Sequence, residues 1–178
     1  AQKLKTQEQL ANALRATIEA MSKTMEWRDP YTAGHQRRVA NIAVAIAESL
    51  AWPTDKIQGL YMAATVHDIG KVAIPSEILT KPSHLTNLEM RLVQEHPETG
   101  YQILKDIPFP WPIAEIVRQH HERIDGSGYP SGLKGGEILD EAKMIAVADM
   151  IEAIGSHRPY RPALGMDAAI AQIEDRKS

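Results

Sequence analysis

Two short motifs carry most of the residues in this sequence that can do metal chemistry. The segment 67–71 reads His-Asp-Ile-Gly-Lys, and the doublet His120-His121 stands just before a glycine-rich turn. Neighbouring residues on a helix project about 100° apart, so neither doublet converges easily on one ion. Two ions about 3.5–4 Å apart are far enough from each other to be held by such doublets. The spacing therefore predicts a two-metal hydrolytic centre.

Three more potential ligands stand at breaks between predicted helices or on an inward helix face. His35 follows a break at 28–34, His96 precedes a proline, and Asp149 lies in the run Ala-Val-Ala-Asp. A lone histidine is more often a hydrogen-bonded core residue than a ligand. An unpartnered carboxylate in an apolar run, however, would cost several kcal/mol, and a cation would offset its charge. The candidate ligands are His35, His67, Asp68, His96, His120, His121 and Asp149. His84 and His157 lie in polar surroundings and are expected to be solvated.

Composition narrows the class of protein. The 178 residues are expected to form one domain around a sizeable core, and a net charge of −3 with interspersed signs disfavours a DNA partner. The absence of cysteine excludes thiolate sites and cysteine nucleophiles. Nitrogen and oxygen ligands suit iron, manganese, zinc or nickel better than calcium or magnesium. No apolar run is long enough for a membrane span and no signal peptide is visible, so we expect a cytoplasmic protein.

Helical periodicity dominates the chain, and no period-2 alternation indicates a strand. The sequence predicts an all-α fold of about seven or eight helices. Four predicted helices have residue ranges, namely 1–27, 35–50, 54–70 with Thr54 as N-cap, and 166–176. Three more are placed by single features. One begins at a capping box of Thr86 and Glu89, one runs from the proline-rich elbow at 108–112 to about Glu122, and one carries Leu139 to Asp149. Gly70 is interpreted as a helix-ending glycine, and His96 as non-helical because Pro97 follows it. Residues 125–137 are expected to form a loop.

The first predicted helix has two interpretations. Ala11, Leu14, Ile18, Met21 and Met25 recur at three- and four-residue steps, as in the seam of a coiled coil. One interpretation is an amphipathic helix packed on its own domain. The other is a connector at 1–27 that links an upstream sensor or receiver domain to a catalytic domain at 28–178, with a homodimer formed through the helix.

The motifs resemble those of the HD-GYP domain, a bacterial subgroup of the HD metal-dependent phosphohydrolases. Segment 67–71 with Ile74-Pro75 matches the HD segment, and 120–130, which ends in Gly-Tyr-Pro, matches the GYP segment. Segment 29–35, the joint His96-Pro97-Glu98 and Ala148-Asp149 also match. The resemblance covers about residues 27–165 and implies an HD-type helical bundle with a glycine-rich GYP loop.

The resemblance also implies an activity, namely a phosphodiesterase that hydrolyses cyclic di-GMP to linear pGpG, GMP or both. A hydroxide bridging two metals would attack phosphorus in line. Iron or manganese is preferred, and zinc, nickel and cobalt are further candidates. By the family pattern one metal is held by His35, His67, Asp68 and Asp149, and the second by His96, His120 and His121, with Asp68 bridging.

Residues expected to act on the substrate follow from the same resemblance. Lys71 would contact a phosphate oxygen as a catalytic residue alongside Asp68, although a solvated lysine is the alternative. Arg158 and Arg161 match positions that clamp substrate phosphates, with a surface role as the alternative for Arg161. Gly128 and Tyr129 would shape the loop beside the site, which in the family also contacts signalling partners.

Two departures from the family pattern modify these expectations. Some members carry a glutamate and a third metal where this chain has Tyr31, so two metals are expected here. The segment 152–157 reads Glu-Ala-Ile-Gly-Ser-His where members more often show Asp-Ala-Leu-Thr-Ser-Asp. The chain also ends soon after Arg176, which suggests a truncated C-terminus.

Two other functions remain open at this point. One is a phosphodiesterase for another cyclic dinucleotide, such as a mixed cyclic GMP–AMP. The other is a non-catalytic module that binds nucleotide or a partner protein, which the intact set of seven candidate ligands disfavours.

Overall fold

The computed structural model describes residues 2–28 and 34–155, and this part of the chain is helical. Its α-helices are α1 (Gln2–Arg28), α2 (His35–Ser49), α3 (Thr54–Val66), α4 (Ser76–Leu79), α5 (Asn87–Gln94), α6 (His96–Leu104), α7 (Ile113–Gln119) and α8 (Asp140–Gly155). Short 3₁₀ helices occur at Ile69–Ala73 and Gly135–Glu137. The described ranges contain no β-strand, so the predicted all-α fold is confirmed. None of their helices is both long and apolar enough to span a membrane.

Small side chains let the central helices approach closely. Helix α2 packs against α3 and α8, and alanines from all three helices are fully buried in one core. They are Ala40, Ala43 and Ala47 of α2, Ala63 and Ala64 of α3, and Ala142 and Ala148 of α8. Larger aliphatic residues such as Leu60, Leu104 and Ile145 fill the remaining space. An Ala-rich aliphatic core thus brings together His35 of α2, the His67-Asp68 doublet that follows α3, and Asp149 of α8.

Helix α1 packs on the same core. Ile18 and Met25 are buried in it, and Leu14 and Met21 are partly buried against it. These four positions of the predicted seam therefore contact the chain's own domain, as an amphipathic helix would. The domain boundary at 27/28 and the connector role stay predictions.

The end of α3 differs from the sequence prediction. The α-helix stops at Val66 instead of Gly70, and Thr54 is its first residue, with Pro53 in the N-cap position. Gly70 lies inside the 3₁₀ helix that follows. A Cβ at Gly70 would stand 1.9 Å from the carbonyl oxygen of His96. Glycine is thus required here because α6 packs against it, and not because it ends a helix.

The joint between α5 and α6 is partly as expected. The capping box is confirmed, since Thr86 N–H donates to Glu89 Oε2 over 2.7 Å and Glu89 N–H donates to Thr86 Oγ1. The prediction of a non-helical His96 is wrong, because His96 is the first residue of α6 and the joint falls at Glu95. Proline is tolerated in the first turn of a helix, where its missing N–H has no partner to lose.

Other predicted boundaries moved by a few residues. The connection after Ile74 contains α4, and α7 ends at Gln119, three residues before the expected end. The loop at 125–137 is confirmed up to its last three residues, which form a 3₁₀ turn. His84 is exposed, as predicted. Tyr31, His157 and the predicted segment 166–176 lie outside the described residues.

The close contact at Gly70 gives a test of the packing. We expect Gly70→Ala to lower the free energy of unfolding by about 3 kcal/mol or more, because the methyl group would overlap backbone atoms that cannot move aside singly. Denaturant unfolding followed by circular dichroism measures this loss. Gly136→Ala is the matched control, since nothing lies within 4 Å of a Cβ there. A Gly70→Ala protein as stable as the control would contradict the packing.

Candidate metal centre

The seven candidate ligands converge in space although they come from five parts of the chain. Their nitrogen and oxygen atoms form three overlapping groups, each with all its atoms within 4.8 Å of one another. The groups are His35 with His67 and Asp149; His96 with His120 and His121; and His67 with Asp68 and His120. The third group links the other two, so the centre is continuous.

Three of the histidines are oriented by the backbone of their own helical turn. In each, ring Nδ1 lies within hydrogen-bond distance of the carbonyl oxygen three residues earlier. The pairs are His67 with Ala64 (2.7 Å), His96 with Val93 (2.7 Å) and His120 with Val117 (2.5 Å). Because a carbonyl oxygen only accepts, Nδ1 must carry the proton, and Nε2 of each neutral ring keeps a free lone pair. This is how ligand histidines are commonly oriented in metal sites.

The Nε2 atoms of these rings face atoms that can only accept a hydrogen bond. Nε2 of His96 lies 3.2 Å from Nε2 of His120 and 3.3 Å from Oδ1 of Asp68. If Nδ1 carries the only proton of each ring, none of these three atoms has a hydrogen to donate. A cation among them would replace repulsion between lone pairs by attraction. The donor set therefore fits a metal ion better than it fits a network of hydrogen bonds.

Asp68 lies between the two outer groups, with its side chain only 4% exposed. Its Oδ1 faces His96, whereas Oδ2 lies 3.6 Å from His67 Nε2 and 4.0 Å from His35 Nε2. Lys71 Nζ donates to the same Oδ2 over 2.6 Å. Burial alone would raise the pKa of Asp68, but Lys71 and His67 hold it well below its usual value. Asp68 is thus an ionised carboxylate with one oxygen towards each group.

Burial keeps most of the imidazoles neutral. It lowers the pKa of His67 and of His120, and the neighbouring His121 lowers that of His120 further. Burial, with a smaller contribution from the neighbouring His96, lowers the pKa of His121 to about 3. Neutral imidazole is the form that binds metal ions. Near neutral pH these three rings are therefore ready to act as ligands.

His35 is held differently, between two carboxylates of α8. Its Nδ1 lies 2.5 Å from Glu152 Oε2 and its Nε2 lies 3.2 Å from Asp149 Oδ1. Burial opposes protonation, yet the hydrogen bonds to Asp149 and Glu152 raise the pKa of His35 to about 9. Glu152 also accepts from Arg38 Nε over 2.8 Å. The same negative charges would favour a metal cation at Nε2.

Glu152 was not singled out by the sequence analysis as a functional residue. The one signal available was its spacing, three residues after Asp149 and so on the same face of α8. Glu122 was missed in the same way. Its buried carboxylate accepts from Ser131 N–H over 2.7 Å and from Leu133 N–H over 2.9 Å. Glu122 therefore ties the loop at 125–137 to the turn that carries His120 and His121.

The loop at 125–137 packs against the candidate metal centre through Tyr129. The Tyr129 ring stacks on His121 with centroids 4.8 Å apart, and Tyr129 N–H donates to the His121 carbonyl. Burial and the charge of Asp68 raise the pKa of Tyr129 to about 12, so its phenol stays protonated. A Cβ at Gly128 would lie 2.4 Å from Arg123 N. Gly128 is thus required by the close return of the loop onto the 122–123 backbone.

A cleft of about 200 Å³ opens beside the centre. It is lined by His120, His121, Glu122, Arg123, Ala146, Asp149 and Met150. Arg123, which the sequence analysis did not consider, places a cation next to this cleft. Lys71 is 22% exposed and bonded to Asp68, so it is not the freely solvated lysine of the alternative interpretation. Arg158 and Arg161 lie outside the described residues.

Comparison with known proteins identifies the family of the chain. The model of the HD domain family matches residues 9–178, and the chain belongs to that family. It is 42% identical over 161 residues to the cyclic di-GMP phosphodiesterase response regulator RpfG of Xanthomonas campestris pv. campestris, covering 89% of this chain and 43% of the relative. It is 40% identical over 163 residues to the 3'3'-cGAMP-specific phosphodiesterase 3 of Vibrio cholerae, covering 91% and 35%. The chain thus spans less than half the length of these curated relatives.

Among solved structures, the fold is similar to that of Bd1817, an HD-GYP-type protein from Bdellovibrio bacteriovorus. The TM-score is 0.69 at 21% identity, and the match covers 94% of this chain and 55% of that one. At this identity the likeness concerns the fold alone. Together with the family match it confirms the resemblance to HD-type domains that the motifs predicted.

The contact between His35 and Glu152 can be tested by metal affinity. We expect Glu152→Gln to weaken Mn²⁺ binding by about tenfold or more, because the neutral amide would no longer balance His35 and would turn its N–H groups towards either Arg38 or His35. Titration against a chromophoric chelator measures the dissociation constant. Glu141→Gln is the control, since it removes another α8 carboxylate that lies 3.6 Å from Lys56. Equal affinities in the two variants would rule out a role of Glu152 at the centre.

Proposed function

We propose that this chain is a metal-dependent phosphodiesterase that hydrolyses cyclic di-GMP. The observation that carries the proposal is the position of Asp68, an ionised buried carboxylate whose two oxygens face different histidine groups. Two groups of ligands joined by one carboxylate suit a pair of divalent ions. The names of several relatives, including RpfG, support cyclic di-GMP as the substrate.

The residues that would hold the ions follow from the groups already described. One ion would be bound by His35, His67 and Asp149. The other ion would be bound by His96, His120 and His121, and Asp68 would bind both ions. Iron or manganese fits this mixture of imidazole and carboxylate, with zinc, nickel and cobalt as further candidates. When bound, such ions supply Lewis acidity, which activates water and offsets the charge of a phosphoryl group.

The chain's own side chains would bind and orient the substrate. Lys71, fixed by Asp68, would offer its ammonium group to a phosphate oxygen at the edge of the centre. The Tyr129–His121 stack would form an apolar wall, and Gly128 would let the loop lie close to the ligand. Arg158 and Arg161 stay predicted phosphate contacts. No side-chain nucleophile is needed, in keeping with a sequence that lacks cysteine.

A second candidate substrate is 3'3'-cGAMP, favoured by the 40% identity to an enzyme named as specific for it. Both cyclic dinucleotides present two phosphodiesters to the same centre and differ in one base. A non-catalytic binding module is disfavoured because all seven candidate ligands are present and converge. The product, pGpG or GMP, stays a prediction.

The expected partners are proposals as well. RpfG is named a response regulator, which supports an upstream receiver domain joined to α1. A signalling protein docked at the GYP loop, a homodimer formed through α1 and a cytoplasmic location stay predictions.

Turnover of the two cyclic dinucleotides by the purified chain tests the proposed function. The protein is purified without oxygen, its metal content is counted, and products are identified by chromatography and mass spectrometry. We expect hydrolysis of cyclic di-GMP, with a lower kcat/KM for 3'3'-cGAMP. Asp68→Asn should lower turnover by more than about 100-fold, since even outer partners of metal ligands contribute 10- to 100-fold.

Asp106→Asn, an exposed position between α6 and α7, is the control and should keep full activity. Metal-loaded protein that hydrolyses neither dinucleotide would contradict the proposed function. Faster turnover of 3'3'-cGAMP would transfer the assignment to the second substrate.

A further inference from the structure

The last turns of α1 contact the segment that begins α2 and carries His35. Ser22 Oγ donates to Gln36 Oε1 over 2.5 Å, and both side chains are buried, at 6% and 2% exposure. Glu26 Oε1 accepts from Gly34 N–H over 2.8 Å. Helix α1 is thus bonded to the residue before His35 and to the residue after it.

These bonds matter because α2 has no side-chain cap of its own. Gly34 occupies the N-cap position with a left-handed φ of 70° and can offer no side-chain acceptor. A helix start without a cap leaves N–H groups unsatisfied and frays readily. The contacts from α1 therefore restrain the end of the helix at which His35 stands.

The same turn of α1 also contacts the segment after the His67-Asp68 doublet. The Arg28 guanidinium donates to the carbonyl oxygen of Val72 and, over 3.3 Å, to that of Ile74. These carbonyls belong to the 3₁₀ helix that contains Lys71 and to the residue that follows it. A guanidinium that forks across two carbonyls fixes their relative position. Arg28 therefore restrains the turn that holds Asp68 and Lys71.

We propose that Ser22, Glu26 and Arg28 form a clasp that positions both sides of the metal centre and sets its metal affinity. The clasp joins the His35 segment to the 67–74 segment through α1, and none of its three residues is a candidate ligand. Displacement of the end of α1 would move these two segments relative to each other. The inference rests on the proposed metal centre but not on the identity of the substrate.

The alternative is that α1 only stabilises the fold. A contact elsewhere on α1 separates the two roles. Tyr61 OH donates to Glu19 Oε1 over 3.2 Å and joins α1 to the middle of α3 through a bond that none of the three residues Ser22, Glu26 and Arg28 makes. Removing this bond loosens α1 without touching the clasp, so Tyr61→Phe is a matched control.

The test is the Mn²⁺ dissociation constant of the full chain, measured by competition with a chromophoric chelator, together with the Tm of each metal-free variant. We expect Arg28→Met and Glu26→Ala each to weaken Mn²⁺ binding by about tenfold, the lower end of the range for residues that orient ligands. Glu26→Gln keeps an acceptor for Gly34 N–H and should restore most of the affinity. Tyr61→Phe should bind Mn²⁺ like the original chain even where its Tm falls.

Unchanged Mn²⁺ affinity in Arg28→Met and Glu26→Ala would overturn the clasp, whatever happens to their Tm. An equal loss of affinity in Tyr61→Phe would overturn it too, because general loosening of α1 would then suffice. Ser22→Ala, a smaller change, gives the same comparison if the Arg28 variant fails to fold. A chain that binds Mn²⁺ without hydrolysing either dinucleotide would refute the proposed function alone, since the clasp is judged by affinity.

Discussion

Asp68 carries a negative charge where its side chain is almost completely buried, and the rest of the site is arranged around that charge. The Lys71 ammonium contacts one oxygen, and three imidazoles approach the two oxygens at 3.3 to 4.0 Å. The protonated His35 contacts Asp149 and Glu152, and Glu152 also accepts from Arg38. Each of these carboxylates therefore has a cationic partner within the chain, and a metal ion would add positive charge where Nε2 of the neutral His67 faces Asp68.

The helical fold supplies this arrangement through local geometry. Three of the candidate ligand histidines follow a helical turn, and in each the carbonyl oxygen three residues earlier accepts the Nδ1 proton. The chain therefore orients these rings without long-range contacts. Close packing then joins the turns, because α6 can approach the 3₁₀ helix only where residue 70 has no side chain. Ala-rich faces of α2, α3 and α8 bring the remaining ligands to the same place.

Features that depend on residues close together in the chain could be predicted from the sequence. The helices, the capping box at Thr86 and the seven candidate ligands all follow from spacing, breaks and motifs. Residues that act through distant contacts could not: His35 and Glu152 are 117 positions apart, and no periodicity pairs them. The non-helical prediction for His96 failed because proline disfavours the residue before it on average, whereas here the pair starts a helix. The sequence correctly indicated that position 70 requires glycine, but it assigned the requirement to a helix end. The real cause is the backbone of α6, which packs against Gly70 and is remote in sequence.

A carboxylate that bridges two ions, as proposed for Asp68, requires two separate ion sites. Anomalous X-ray diffraction from crystals of the chain loaded with Mn²⁺ would locate them. We expect two anomalous peaks about 3.5–4 Å apart, one beside His35, His67 and Asp149 and one beside His96, His120 and His121, with Asp68 between them. A single peak, or peaks that do not contact Asp68, would refute the bridging role.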